Sequence, residues 1–188
     1  MNILNRSVLM KAHTLLAAFI LPVVVMFLIT GALYTWGIKG EYETTVHELH
    51  IKTPVQGQLN ELMNIAKQEL KEQSIPIPTG QAKIKKIGDS FKLEWSGSST
   101  DITLEPTSQP LILKLEIKNA SWYRQLVQLH KAKGGEFFKV YATVLSIALL
   151  TLLFSGFIMA WQIPKLRALT LISTALGVAV FIFMALLS

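Results

Sequence analysis

The sequence predicts a membrane α-helical protein: three transmembrane helices, with a small α+β domain carried between the first two. Three observations predict it. First, the 188 residues are 51% hydrophobic and only 16% charged, with mean hydropathy +0.43, whereas a soluble domain carries about 25% charged residues. Second, the charge deficit is concentrated in three charge-free stretches, residues 14–38, 140–164 and 168–188. Each meets the requirement of about 20 apolar residues to cross a hydrocarbon core of about 30 Å, and a helix is the form in which a lipid-embedded backbone satisfies itself. Third, every Asp and Glu lies between Glu41 and Glu136, the segment in which short alternating runs replace the long apolar ones.

Taken in order, the chain reads as a cytoplasmic tail (1–13), a first transmembrane helix (14–38), an α+β domain (39–136), a second transmembrane helix (137–163), a short loop (164–167) and a third transmembrane helix (168–188). Arg6 and Lys11 in the tail, with Lys165 and Arg167 in the loop, put excess positive charge on one side. Short loops rich in Lys and Arg mark the cytoplasmic face, so the α+β domain is expected outside the cytoplasm. The segment between the helices is close to neutral. The sequence pI of about 9.6 is therefore a topology signal, and no clustered basic patch indicates a nucleic-acid partner. The first apolar stretch is too long for the 7–15-residue core of a signal peptide, and no A-x-A-like site follows it, so an uncleaved anchor is expected. With no cysteine, disulfides, thiolate metal sites and iron–sulfur clusters are excluded on this chain.

Within the domain, Leu59, Leu62, Met63, Ala66 and Leu70 fall on one face of an amphipathic helix over residues 57–73. Ile75-Pro76-Ile77-Pro78 breaks it, because proline cannot continue a helix. Residues 82–87 form a strand, Gly88-Asp89 a turn, and Phe91, Leu93 and Trp95 alternate against polar neighbours as a half-buried strand. Residues 101–105 and 111–117 add two strands around a turn-rich Glu105-Pro106-Thr107-Ser108-Gln109-Pro110 linker, and residues 122–133 return to helix. The expected order is helix, four antiparallel strands, helix. No Gly-rich phosphate loop, nucleophile elbow or zinc-ligand spacing is present, so nothing supports a hydrolase.

Ligand chemistry without cysteine rests on His13, His47, His50 and His130. His13 lies at the cytoplasmic mouth of the first predicted helix and His130 just before the second, on the outer side, and an ionisable side chain at a membrane boundary raises a functional hypothesis. An interfacial polar side chain, or a hydrogen bond to a neighbouring loop, is the plainer reading. His47 and His50 stand three apart just after the first helix and are candidate metal ligands.

Ala12-His13, running into Ile29-Thr30-Gly31-Ala32-Leu33-Tyr34, is similar to the first helix of the PepSY-associated transmembrane family, in which a histidine opens the helix and a Thr-Gly pair sits near its outer end. Leu129-His130, then Gly134-Gly135, then Phe154-Ser155-Gly156-Phe157 resembles the family's later helix, and the 105–110 linker is similar to its Asp-Pro-x-Thr-Gly turn, with Glu for Asp and without the glycine. The resemblance implies a PepSY-like outer domain and haem b held by His13 and His130 in a bacterial inner membrane. It implies a ferric reductase supporting iron acquisition, with iron as substrate, an unknown electron donor, and a ferrous iron importer as a downstream partner. Larger relatives resemble di-haem reductases of ferric siderophores and have four or more helices, so a three-helix chain implies pairing as a homodimer. Ligand arithmetic agrees: helices that span place His13 and His130 about 30 Å apart, too far to grip one haem. Residues 18 apart share a helix face, which aligns His13 with Gly31 and Ala17 between them. Small residues there admit a flat macrocycle or a partner helix, and helix packing accounts for Ala17, Gly31 and Gly156 equally well. PepSY domains are also associated with peptidase inhibition. The alternative from another class is therefore a non-enzymatic regulator or assembly partner of a protease or membrane transporter.

Overall fold

A computed structural model describes residues 5–88 and 90–188. The start of the predicted tail and Asp89 of the predicted turn lie outside the described residues. The chain divides into two compact units, one of Met1–Val23 with Thr143–Ser188 and one of Val24–Ala142.

Three long helices account for the apolar stretches. They are α1 (Arg6–Thr35), α4 (Gly135–Trp161) and α5 (Pro164–Leu187), numbered in chain order with the shorter elements that fall in the sequence between α1 and α4. At 1.5 Å per residue the three are about 45, 40 and 36 Å long, longer than a hydrocarbon core of about 30 Å. Their apolar windows are almost wholly unburied by protein, 0% buried in α5 and 11% in the other two. Leu176, Phe181 and Leu186 are among many exposed large side chains on α5. An apolar surface of that extent marks a site of membrane or protein contact, and lipid is the solvent that suits it. Proline opens α5 at Pro164, where its missing N–H costs the helix nothing. Arg167 Nε donates to the Trp161 carbonyl at 2.8 Å, closing the short turn between α4 and α5.

The second unit is built on an antiparallel sheet of five strands: β1 (Tyr42–His50), β2 (Ala82–Ile87), β3 (Ser90–Ser96), β4 (Thr100–Pro106) and β5 (Ile112–Ala120), in the order β1-β5-β4-β3-β2. Cross-strand partners share a face, and the register gathers Leu93, Leu104 and Leu115 in one row and Trp95, Ile102 and Ile117 in the next. Helix α2 (Leu59–Glu72) covers these rows with Leu62, Ala66 and Leu70, all three fully buried. The opposite face is polar. There Glu105 pairs with Lys92 and Lys114, and Glu116 with Lys118 at 3.0 Å. The Lys118 ammonium bonded to it holds the Glu116 carboxyl below the usual carboxylate range. One apolar and one solvated face is the usual economy of an antiparallel sheet.

The expectation of four strands is corrected to five. Strand β1 escaped sequence reading because it lies at the sheet edge and is largely exposed. The face it turns toward α2 carries Glu43, Thr45, His47 and Leu49, a series in which only leucine is apolar. The other four strands, and α2 and α3 (Trp122–His130), fall within three residues of their predicted limits.

Candidate functional site

Helix α3 is fastened to the sheet by a buried polar cluster. Gln128, fully buried, donates through Nε2 to the Tyr42 hydroxyl at 2.6 Å and to Asp101 Oδ2 at 3.0 Å. Tyr42 itself donates to Asp101 Oδ2 at 2.7 Å, while Lys133 Nζ stands 3.4 Å from the same oxygen. Burial, reinforced by the Asp101 carboxylate, pushes the Tyr42 phenol up to about 12. These contacts set the rotation of α3 and thereby aim the residue two places on, His130.

His130 Nδ1 lies 2.8 Å from Thr30 Oγ1, and the ring packs on Phe27 with centroids 4.8 Å apart. The hydroxyl has one hydrogen, and it lies 2.7 Å from the Met26 carbonyl. Two oxygens that close repel unless a hydrogen lies between them, so Thr30 donates to Met26 and accepts from His130 Nδ1–H. The neutral ring then carries an unprotonated Nε2, which takes no hydrogen bond among the described residues. Gly31 makes the approach possible: a Cβ there would meet His130 Cε1 at 3.1 Å. Beside the ring is a cavity of about 440 Å³ lined by Thr30, Gly31, Tyr34, Thr35, Val127, His130 and Lys131.

The other unit repeats the arrangement. His13 Nδ1 lies 2.8 Å from Ser155 Oγ, and Ser155 Oγ lies 3.1 Å from the Leu152 carbonyl one turn back. By the same reasoning the neutral His13 ring carries an unprotonated Nε2, which takes no hydrogen bond among the described residues. The residue beyond the serine is again glycine, where a Cβ at Gly156 would sit 3.7 Å from His13 Cε1. Twice, a hydroxyl-glycine dipeptide on a long helix sets its hydroxyl against one imidazole nitrogen; at Gly31 the missing Cβ makes room for the ring, whereas at Gly156 a Cβ would make an ordinary contact. A ligating histidine usually has its second nitrogen held in this way, which fixes tautomer and orientation.

His47 and His50 fare differently. Strand β1 turns His47 toward the α2 side, opposite Leu115, and His50 to the other face, opposite Ile112. Both edge a hollow that also takes in Glu48, Glu69 and Glu72. Among the described residues, however, no group of three His, Asp or Glu side chains converges on a metal position. Sequence reasoning picked out His13 and His130 and missed their hydroxyl partners' role. It noted Thr30-Gly31 and Ser155-Gly156 only as motif residues, and the alternation of a helix cannot show which distant ring a hydroxyl meets.

These features define a class of membrane protein: three apolar helices carrying an α+β insert, with two helix-borne histidines each oriented by a hydroxyl. A family model described as the PepSY-associated TM region matches residues 10–187, and the chain belongs to that family. No curated protein and no solved structure matches it.

Proposed function

We propose that the protein binds haem through His13 and His130 and passes electrons across the bacterial inner membrane to Fe(III) on the outer side, as a ferric reductase serving iron acquisition. The observation that carries the reading is the pair of imidazoles whose Nδ1 lies 2.8 Å from Thr30 Oγ1 and from Ser155 Oγ, an arrangement that in the neutral rings leaves both Nε2 lone pairs available. The residues fit haem on two counts. Nε2 of a neutral histidine is a common axial donor, and Gly31 leaves the His130 ring space that any side chain would take. When bound, haem supplies a one-electron couple whose potential follows its axial ligands and surroundings. The chain's own part is to hold the proton on Nδ1, keep each ring from rotating, and line one flank of the His130 position with Val127 and Tyr34.

Each end of a single chain offers one such histidine, so bis-histidine ligation at the His13 end calls for a second copy; a homodimer supplies it, and a twofold dimer is the commonest oligomer. His130 is expected to draw its second ligand from the partner copy, because His47 and His50 edge a separate hollow farther along β1. Fe(III) gains one electron and becomes Fe(II), which oxygen donors hold less tightly and a ferrous importer accepts. The electron comes from a cytoplasmic or membrane reductant on the His13 side.

The test is an absorption spectrum of the purified protein. A Soret band that sharpens on dithionite, lost or shifted in His130→Ala and His13→Ala alongside Fe(II) trapping by a ferrous chelator, supports the reading. Unchanged spectra and Fe(II) production in both variants would end it. A colourless protein would favour the second reading, a non-enzymatic PepSY-type regulator or assembly partner of a protease or transporter. For that reading the supporting observation is the exposed edge strand β1, the kind of edge to which an extended segment adds.

A further inference from the structure

Residues just past the His130 cavity form a cationic rim that the ligand chemistry above does not use. Tyr34 lies one turn beyond Thr30 on α1, on the same helix face, and lines the cavity. Two ammonium groups gather on its ring: Lys39 Nζ at 5.3 Å and Lys131 Nζ at 5.7 Å from the centroid. Neither lysine has an acidic partner among the described residues. Two like charges, each within about 6 Å of the same ring centre, repel each other, and a nearby anion would relieve that repulsion.

Lys39 is not a loose end. Helix α3 grips the backbone that carries it, with Tyr123 Oη donating to the Ile38 carbonyl at 3.2 Å and Arg124 Nη1 donating to the Lys39 carbonyl at 3.0 Å. Gly40 adopts φ +74°, and a Cβ there would meet the Arg124 backbone nitrogen at 2.8 Å. Only glycine permits that close approach in the left-handed region. Lys131 follows His130 directly in the chain. The same helix, α3, therefore positions the imidazole and both cations.

We propose that Lys39 and Lys131 bind the propionate carboxylates of a haem ligated by His130. This rests on the haem reading and adds the group recognised at the rim. The site offers a neutral nitrogen donor, an apolar and aromatic flank, and a pair of cations. That sequence suits a flat apolar ligand with a metal at its centre and carboxylates on one edge. Lysines at a membrane boundary also meet lipid phosphate, and the experiment separates the two anions.

The experiment titrates full-length apoprotein, in neutral detergent without phospholipid, with hemin and with hemin dimethyl ester, following absorbance. Wild type is expected to favour hemin by roughly two- to thirtyfold, the range for two partly exposed ion pairs. Lys39→Met/Lys131→Met should lose that preference while binding the ester as wild type does, which also reports an intact fold. Lys39→Arg/Lys131→Arg should keep it, and should this pair alone fold, its preference for hemin still tests the assignment. Equal wild-type affinities for hemin and ester, or a preference retained in the Met pair, would overturn the proposal. So would a preference that vanishes in nanodiscs containing anionic lipid, since the lysines would then belong to headgroups. Failure of wild type to bind hemin or ester would sink the haem reading itself, and the proposal with it.

Discussion

Replacing Thr30 with valine removes one hydroxyl while nearly preserving side-chain shape, so it isolates the hydrogen bond to His130. In the wild type, Thr30 is 2% exposed and its oxygen accepts from Nδ1 at 2.8 Å. Without it the imidazole has two courses. It can keep the proton on Nδ1 and leave a buried donor unpaired, at about 1–3 kcal/mol. Alternatively, the proton moves to Nε2, and the lone pair needed for ligation is lost. Ligation forces the first course, which the free imidazole escapes by the second, so at about 1.4 kcal/mol per tenfold the unpaired donor costs binding about 5- to 140-fold, in line with the roughly 10–100-fold penalty of losing an outer-sphere partner. Thr30→Val should therefore weaken hemin affinity by about 10–100-fold, and Thr30→Ser, which keeps the hydroxyl, should restore most of it. The assay is hemin titration of both variants together with ¹⁵N NMR of histidine-labelled apoprotein, in which wild-type His130 should carry its proton on Nδ1. Wild-type affinity in Thr30→Val, or a wild-type His130 protonated on Nε2, would refute the reasoning.

Two glycines give a matched contrast. A methyl at Gly31 meets His130 Cε1 at 3.1 Å and one at Gly156 meets His13 Cε1 at 3.7 Å, so Gly31→Ala should lower haem content and Gly156→Ala should leave it near wild type, measured by pyridine haemochrome. Tyr42 has a folded-state pKa of about 12 against about 10 unfolded; its contribution to stability is complete below about 10 and lost as pH rises through the folded value. Phenolate absorbance should accordingly show one late-ionising tyrosine that is absent in Tyr42→Phe. Gln128→Leu deletes both bonds to Tyr42 and Asp101 and should destabilise the α+β segment by about 1–3 kcal/mol, seen in denaturant titration; an unchanged midpoint would show that α3 is held otherwise. A reporter active only outside the cytoplasm should work when fused after Gly80 and stay silent at residues 165–167, in the first turn of α5; the reverse pattern would invert the proposed orientation.

Much of this protein was legible in its sequence because membrane helices and amphipathic elements are written locally. Some 20 consecutive apolar residues decide a span whatever lies elsewhere in the chain. The periodicities of Leu62, Ala66 and Leu70, and of Leu93 and Trp95, name the buried face of α2 and β3 before any partner is known. Strand β1 was not legible, since an exposed edge with a single leucine on its inner face leaves no hydrophobic alternation to read; only its ladder with β5 makes it a strand. The candidate site divides the same way. Sequence supplied the two histidines, as ionisable groups near the predicted membrane boundaries. Tertiary structure alone decided what they meet, because His130 and Thr30 are 100 residues apart and His13 and Ser155 are 142 apart. A hydrogen bond acts over about 3 Å, so no local pattern records which of the many hydroxyls in the chain will lie within that distance of a given ring.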